Sequence, residues 1–437
     1  MNFNHKILPA LESKYNVKYP ILKNATYKSL VNYATDLKSP VQRWYRYKEG
    51  YSIKLMQQIF NDYKVVKGDI ILDPFCGSGS TIIQAKINGF DSIGFEINPF
   101  SAFLAKAKTQ NYKAKDVEEF IKEKVKLFKI KNGKIKKTDK PKLSTIDKLF
   151  DKSVLAYLLN LKSAIKKIDN IKARDLYFLA WLSVLEECSN YKKAGNGLKI
   201  RRTKLTTDRN YAFAEMIFKD RVLEIEGDLP YVVELSKGIK NPRIYEHTSL
   251  EMDKFIKPRS LKGVIFSPPY ANCFDYTEIY KVELWMGNFV TEYSDLKKLR
   301  ERGIRSHLNG YKINQNNNKK SPVPELTTLV EELKQIKLWD SRIPTMVNSY
   351  FDDMFMALDQ IYKALRPGGF CCIIVSNSAY GGIVVPTDLL LTKYAEKIGF
   401  KAKELDVARF IITSSQQYKK TEKYKKYLRE TIIHLVK

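Results

Sequence analysis

The chain has 437 residues and a formal net charge of +28, from 76 basic and 48 acidic residues. A chain of this length can bury the core of one large domain with insertions, or of two or three smaller domains, without disulfides or metals. The charge favours a polyanion, above all nucleic acid, as the partner. The alternative is a lysine-rich composition in which the charge has no binding role.

Cysteine spacing and hydropathy exclude several classes of protein. The five cysteines contain no CxxC pair and only four histidines accompany them, so we expect neither a disulfide framework nor a metal site. The N-terminus has no apolar signal core, and no stretch reaches the roughly 18 apolar residues of a membrane span. We therefore predict a cytoplasmic protein that does not contact membranes.

The first predicted elements surround a glycine-rich loop. A helix is expected within residues 41–60, capped at Ser52, because apolar residues recur at helical spacing at Leu55, Met56, Ile59 and Phe60. The apolar run at residues 69–72 is typical of a doubly buried parallel strand. A helix at 81–88 and a second strand at 92–96 follow it. The pattern is a strand, helix, strand unit with glycines at its first corner.

Lysine-rich helical segments then interrupt the sheet pattern from about 112 to 240, with a basic linker at 129–143 and an apolar helix around 174–188. Strands resume at 243–246 and 263–266. An irregular stretch at about 290–345 contains a polar run that predicts an exposed loop. The last part alternates between helices and strands: helix 350–365, turn 366–369, strand 370–375, helix 387–398, strand 401–407 and strand 431–436.

This alternation predicts an α/β fold with a mostly parallel, doubly wound sheet. We expect residues 1–110 and 241–437 to form the catalytic domain, the second part carrying the irregular insertion at about 290–345. Residues 111–240 form a helical, basic insertion and a candidate target-recognition region.

The loop Asp73-Pro-Phe-Cys-Gly-Ser-Gly79 joins the first strand to its helix. Gly77 and Gly79 let the backbone approach a ligand closely, and the amides at the helix start face an anion. Glu96 ends the second strand 23 positions after Asp73, near the offset at which a carboxylate binds ribose hydroxyls in such folds. No lysine follows the second glycine, which argues against a Walker-type phosphate loop. A purely structural tight turn is the alternative for the glycines alone.

The turn Ser267-Pro-Pro-Tyr270 follows an apolar strand, at the end where open α/β sheets bind ligands. Two prolines make the backbone rigid and remove two donors. An exocyclic amine of a base is a poor nucleophile, and acceptors at the Ser267 hydroxyl and the Pro268 carbonyl would direct its lone pair at a methyl donor. Tyr270 would stack on the base. A rigid turn with no catalytic role is the alternative, and Cys76 and Cys273 are interpreted as structural because no activating residue accompanies them.

A basic, glycine-containing segment at 191–204 is the candidate DNA contact. Its residues would enter a groove or contact phosphates, although a solvated surface loop has the same composition. The candidate residues are Lys192, Lys193, Lys199, Arg201, Arg202 and Lys204.

The two motifs and the segment 96–99 together resemble the amino-methyltransferase family of DNA modification enzymes. The resemblance covers about 41–110 and 241–437, including a looser match at Arg43-Trp-Tyr-Arg-Tyr-Lys48 to a cofactor-flanking motif. It implies a Rossmann-like sheet, S-adenosyl-L-methionine as cofactor and duplex DNA as substrate. The residues then expected at the cofactor are Asp73, Pro74, Phe75, Gly77, Gly79 and Glu96. Those expected at the target base are Ser267, Pro268, Pro269 and Tyr270.

The residue before Pro-Pro indicates which base is methylated. In the resembling family Asp or Asn stands there in most adenine-specific members, and Ser chiefly in cytosine-N4 enzymes. A hydroxyl accepts from the amine and also donates towards cytosine N3. We therefore predict a site-specific cytosine-N4 DNA methyltransferase, part of a restriction-modification or related system, with a cognate endonuclease that acts separately.

Three other functions remain open on the sequence. They are an adenine-N6 DNA methyltransferase, an RNA methyltransferase that acts on an exocyclic amine, and a non-catalytic DNA-binding protein that senses the cofactor. The spacing of 194 residues from Asp73 to Ser267 also leaves open which insertion reads the DNA sequence.

Overall fold

The computed structural model describes residues 3–20, 38–47, 52–131, 133, 140–195, 197–201, 210–309, 321–411 and 419–437. Within these ranges, eight strands form the central sheet in the order β1-β11-β12-β8-β7-β2-β3-β6. Their bounds are β1 (Val17–Lys18), β2 (Ile70–Asp73), β3 (Asp91–Phe95), β6 (Arg243–Tyr245), β7 (Leu261–Phe266), β8 (Leu365–Ser376), β11 (Lys401–Phe410) and β12 (Arg429–Val436). Two separate hairpins join β4 (Tyr191–Ala194) to β5 (Gly197–Ile200), and β9 (Ser378–Tyr380) to β10 (Ile383–Val385).

The sheet is parallel except at one strand. β12 runs antiparallel to both of its neighbours, β8 and β11, and the other paired strands of the sheet are parallel. The strand order reverses at β2: β3 and β6 follow on one side, β7 and β8 on the other. Ligands bind beyond the carboxyl ends of the strands at such a switch point.

Helices cover both faces of the sheet and form the insertion between β3 and β6. They are α1 (Leu8–Glu12), α2 (Ile53–Asp62), α3 (Ser80–Ile87), α4 (Pro99–Thr109), α5 (Ala114–Leu127), α6 (Ile146–Leu149), α7 (Lys152–Ile165), α8 (Ile171–Cys188), α9 (Tyr211–Leu235), α10 (Tyr276–Ile279), α11 (Lys281–Met286), α12 (Tyr293–Arg302), α13 (Pro324–Lys334), α14 (Ile343–Ala364) and α15 (Thr387–Lys397).

Alternate residues of each central strand face different cores, as the period of two requires. On β2, Ile71 packs in the core that contains α2, while Leu72 packs in the core that contains α14 and α15. Ile265 and Phe266 divide in the same way on β7. Burial on both faces explains the continuous apolar runs in the sequence, and the predicted doubly wound, mostly parallel α/β sheet is confirmed.

A second hydrophobic core is formed mainly by the insertion helices α4, α5, α7, α8 and α9, together with α11, which follows β7. This core also takes in Val41, Trp44 and Tyr45 from the N-terminal part of the chain. Asp228 of α9 holds that segment, because its carboxylate accepts from the Trp44 indole at 2.8 Å and pairs with Arg43. The packing therefore crosses the predicted boundaries at 110 and 240.

Two local predictions require correction. The stretch 290–345 is largely helical in its described part, since α12, α13 and the start of α14 lie there; its polar run 314–320 lies outside the described residues. The predicted turn 366–369 is a bulge inside β8, where pairing with β7 passes from Leu365 to Phe370 around Gly368 at φ +73°. Among the helices of the described ranges, none is long and apolar enough to cross a bilayer.

Candidate active site

A cavity of about 1110 Å³, open to solvent, lies beyond the carboxyl ends of β2, β3, β6 and β7. The glycine loop, Glu96, the segment from His247 and Ser267 line it, each directly following one of these strands. The opposite side comes from residues 274–277 and 299–307. The structure therefore brings the two motifs together, although 194 residues separate Asp73 from Ser267.

Asp73 shapes the glycine loop from behind the cavity. Its carboxylate accepts from the Phe75 amide at 3.0 Å and from the Thr81 hydroxyl at 2.6 Å. The side chain is 1 % exposed. Pro74, Phe75 and Gly77 line the cavity, so the structure gives Asp73 a supporting position and its neighbours the contact surface.

Glycine is favoured at positions 77 and 79 for different physical reasons. Both have positive φ, +50° and +88°. A Cβ on Gly77 would lie 3.1 Å from the ring of Tyr47, which lines the cavity and stacks on Tyr280. A Cβ on Gly79 would lie 3.3 Å from the backbone of Ala105, so that glycine permits close packing of α3 against α4. Tyr47 belongs to the segment 43–48, whose Lys48 lies outside the described residues.

Glu96 is held at the end of β3 by backbone amides. One carboxylate oxygen accepts from Gly77 at 2.9 Å and the other from Asn98 at 2.8 Å. Burial, opposed in part by these hydrogen bonds, raises the pKa of Glu96 to about 7. Each carboxylate oxygen retains a further lone pair, so both can still accept from ligand hydroxyls.

Two buried polar atoms in the cavity lining have no protein partner among the described residues. They are the Ser78 hydroxyl and the Asn98 side-chain amide nitrogen. Buried polar groups are normally hydrogen-bonded, so these two atoms indicate a polar ligand. Cys76 in the same loop is 5 % exposed, and burial raises the pKa of its thiol well above the usual value, consistent with a structural cysteine.

The Ser-Pro-Pro-Tyr turn presents Ser267 and Pro269 to the cavity, while Pro268 is buried within the turn. The Ser267 hydroxyl donates to the Tyr270 hydroxyl at 3.2 Å. Tyr270 in turn donates to Glu430 of β12 at 2.5 Å. Glu430 was not predicted, because it lies 160 residues further along the chain and no local pattern marks it.

The opposite side of the cavity carries a charged network that sequence analysis also missed. Asp275 is 3 % exposed and accepts from Arg300 at 2.9 Å. His307 lies beside them, and burial lowers the pKa of its imidazole. The only signal in the sequence was that Asp275 follows Ser267 closely. Arg300 and His307 lie in the stretch that had been interpreted as irregular.

The predicted DNA-contacting lysines and arginines fall in different environments. Lys192 and Lys199 are directly opposite each other across the β4–β5 hairpin and both are exposed. The Lys193 side chain is only 6 % exposed and pairs with buried Glu283, so its ammonium faces protein. Arg201 donates to the carbonyls of Glu186 and Ser189, at the end of α8. Arg202 and Lys204 lie outside the described residues.

A separate group of possible metal ligands lies on β11 and β12, at Glu404, Asp406 and His434, with ligand atoms within 4.8 Å of one another. Each acid already has a cationic partner or a histidine beside it. Glu404 pairs with Lys18, and Asp406 lies 3.1 Å from the His434 imidazole. The arrangement is satisfied as a set of ion pairs.

Known proteins resemble the chain along most of its length. A family described as DNA methylase matches residues 32–107. Type II methyltransferase M.BsoBI of Geobacillus stearothermophilus is 28 % identical over 420 residues, covering 86 % of this chain and 81 % of the relative. M.AvaI of Anabaena variabilis is 23 % identical, covering 91 % and 86 %. M.MvaI of Kocuria varians is 21 % identical, covering 83 % and 82 %.

Among solved structures, the rRNA methyltransferase aviRa from Streptomyces viridochromogenes covers 92 % of both chains with 9 % identity and a TM-score of 0.29, too low to bear on the fold. The family match contains the glycine loop and Glu96, and the similarity to the relatives extends over 83–91 % of the chain. Over residues 32–107 the chain is therefore similar to the DNA methylase family, and over most of its length it is similar to Type II methyltransferases.

Proposed function

We propose that this protein uses S-adenosyl-L-methionine to methylate N4 of a cytosine at a specific site in duplex DNA, as the methyltransferase of a restriction-modification system. One observation carries the proposal: Ser267, a hydroxyl acceptor before two prolines, lines the same cavity as Glu96 and the glycine loop. The similarity to a family described as DNA methylase supports methyl transfer to DNA. The cavity lining indicates where the methyl donor and the target base would meet.

The cavity lining fits S-adenosyl-L-methionine. Tyr47 and Phe75 offer aromatic surface, Glu96 offers two acceptors for ribose hydroxyls, and Ser78 and Asn98 offer polar atoms that lack protein partners. When bound, the cofactor supplies a methyl group on a sulfonium, which is already a good leaving group. The protein then has to orient the two reactants, and no covalent intermediate is required.

At the acceptor end, Ser267 would orient the amine. Its proton is directed to Tyr270, so its oxygen lone pairs remain for an N–H of the target base. The second acceptor, the Pro268 carbonyl, belongs to a rigid turn at the end of β7. Both hydrogen bonds would favour a more tetrahedral nitrogen, with its lone pair directed towards the side of the cavity where the residues would hold the methyl donor. The base must leave the duplex to reach this position.

The choice of cytosine depends on the serine, and the structure alters one part of that argument. From the sequence, the Ser267 hydroxyl is expected to donate towards cytosine N3 as well as to accept from N4. Its proton instead lies on the hydrogen bond to Tyr270. Ser267 therefore acts as an acceptor, and a donor to N3 has to come from elsewhere in the cavity.

The relatives support the biological setting, since all three described above are named as Type II methyltransferases. A separate cognate endonuclease is proposed on the same ground. Lys192 and Lys199 are exposed on one hairpin of the insertion, which makes them our proposed phosphate contacts.

Mass spectrometry of nucleosides tests the proposal. Duplex DNA and total RNA are each incubated with the protein and S-adenosyl-L-methionine, and the nucleosides are then separated. We expect N4-methylcytosine from DNA and no methylated nucleoside above background from RNA. N6-methyladenine as the dominant product would refute the choice of base, and methylation confined to RNA would refute the choice of substrate.

A further inference from the structure

A chain of hydrogen bonds runs from Ser267 into the sheet. Ser267 Oγ donates to the Tyr270 hydroxyl at 3.2 Å, and the Tyr270 hydroxyl donates to Glu430 Oε1 at 2.5 Å. The other carboxylate oxygen of Glu430 accepts from Nε of Arg409 on β11. Glu430 is 4 % exposed. A buried carboxylate on β12 therefore terminates a chain that begins at the proposed acceptor of the target amine.

The direction of these bonds follows from the number of protons. A carboxylate only accepts, whereas each hydroxyl has one proton and two lone pairs. Glu430 accepts the hydrogen bond from the Tyr270 O–H, so the Tyr270 oxygen is left to accept a hydrogen bond from the Ser267 O–H. Burial and the Glu430 carboxylate raise the pKa of Tyr270 well above the usual value, so the phenol keeps its proton at neutral pH.

We propose that Glu430 is a positioning residue for methyl transfer: it orients the hydrogen-bond chain so that Ser267 offers its oxygen, and not its proton, to the exocyclic amine. Glu430 acts through Tyr270. The inference rests on the proposed function only in taking Ser267 as the amine acceptor, and it holds for either base.

The substitution Glu430→Gln reverses the chain with almost no change in shape. Arg409 Nε–H still needs an acceptor, so the glutamine places its carbonyl oxygen towards Arg409 and its amide N–H₂ towards Tyr270. The Tyr270 proton then turns to Ser267, whose own proton turns into the cavity and opposes the N–H of the base. Glu430→Asp keeps a carboxylate and should retain part of the activity.

A second buried carboxylate that pairs with an arginine provides a matched control. Asp388 is a buried carboxylate that accepts from Arg429 of β12 at 2.8 Å and from Thr431 at 3.0 Å. It resembles Glu430 in burial and in its arginine partner, but among the described residues its hydrogen bonds do not lead to Ser267. Asp388→Asn therefore reports the cost of disturbing a buried carboxylate–arginine pair.

The experiment measures single-turnover methylation of duplex DNA by the full-length protein, together with S-adenosyl-L-methionine affinity and thermal melting. Glu430→Gln should lower the methylation rate by about 10–100-fold, less than the loss expected for a group that touches the amine directly. Cofactor affinity should stay within about twofold, since the chain does not reach the ribose site. Asp388→Asn should lower the melting temperature without a comparable loss of rate.

Two results would overturn the inference. One is a Glu430→Gln rate equal to that of the wild type; the other is a rate loss that merely parallels melting, as in Asp388→Asn.

If Glu430→Gln does not fold, Tyr270→Phe interrupts the same chain and should lower the rate to a similar degree, whereas an unchanged rate would refute the proposal. In Tyr270→Phe the further change Glu430→Gln should have no effect on rate, because no hydroxyl remains to transmit it. A wild type that does not methylate DNA would refute the proposed function instead.

Discussion

The sheet and the helical insertion are built on different principles, although each has its own hydrophobic core. In the sheet, polar residues collect at one edge, where Glu96 and Ser267 follow the ends of β3 and β7. In the insertion, polar residues hold segments together: Asp228 holds Arg43 and Trp44, and Glu283 holds Lys193. Substitutions at the sheet edge should therefore change catalysis, and those in the insertion should change stability or DNA binding.

The largest expected effect is on stability, at Lys193 of the insertion. Lys193→Met leaves Glu283, which is 1 % exposed, as a buried carboxylate without its cation. Such a change lowers the free energy of unfolding by about 3–5 kcal/mol. Urea denaturation measures it. Lys192→Met, on the exposed face of the same strand, should shift stability by no more than about 0.5 kcal/mol, and equal effects of the two changes would contradict the burial argument.

At the sheet edge, Ser267→Ala should act on the chemical step. Loss of the acceptor lowers the single-turnover rate by about 10²–10³-fold if its hydrogen bond strengthens in the transition state. Ser260→Ala, just before the other end of β7, serves as the control and should retain full activity. A normal rate in Ser267→Ala would remove the serine from the proposed mechanism.

Glu96→Ala should weaken binding of the cofactor more than binding of DNA. Ribose hydroxyls lose a charged acceptor worth about 1.5–3 kcal/mol per hydrogen bond, and the amides of Gly77 and Asn98 lose theirs. Calorimetry with S-adenosyl-L-methionine measures the change. Glu246→Ala, which removes an exposed carboxylate directly after β6, is the control, and equal affinity in both variants would place the ribose elsewhere.

The pH dependence of cofactor binding should follow Glu96. Its pKa of about 7 means that the carboxylate ionises between pH 6 and 8, so affinity should rise with pH by about tenfold over that range. The free energy of unfolding should fall as the pH rises from 4.5 to about 7. Over this range the folded state binds the Glu96 proton more tightly than the unfolded state does. Glu96→Gln should bind with a flat profile in calorimetry; a slope retained in this variant would assign it to another group.

The smallest effect is expected at the basic hairpin. Replacing Lys192 and Lys199 with alanine should weaken DNA binding and lower the slope of log affinity against log salt by about 0.9 for each phosphate that the protein no longer neutralises. Fluorescence anisotropy at several salt concentrations measures the slope. Replacement of Lys401 and Lys403, at the amino end of β11 and away from the cavity edge, should leave the slope unchanged. An unchanged slope in the hairpin variant would direct attention to the 290–345 stretch.

The comparison also explains which predictions were possible. Local sequence was sufficient for β2, β3 and β7 and for the loop at Gly77, because apolar runs and turn residues act over a few positions. It was insufficient for α12, which is strongly polar and depends on packing against the rest of the molecule. The helix α13 was missed although Leu326, Leu329, Val330 and Leu333 recur there at helical spacing. Local sequence also gave Lys192 and Lys193 the same predicted role in DNA contact. Only the hairpin geometry places these neighbouring side chains on opposite faces of the strand.

The sequence by itself determined the α/β sheet, the glycine loop, the acid at the end of β3 and the Ser-Pro-Pro-Tyr turn, since each is a pattern of adjacent residues with a local physical cause. Only the tertiary structure decided that Arg300 and His307 line the cavity and that Glu430 reaches Tyr270. Those contacts join residues far apart in the chain. The antiparallel insertion of β12 beside β8 brings Glu430 to Tyr270, and no local pattern encodes that pairing.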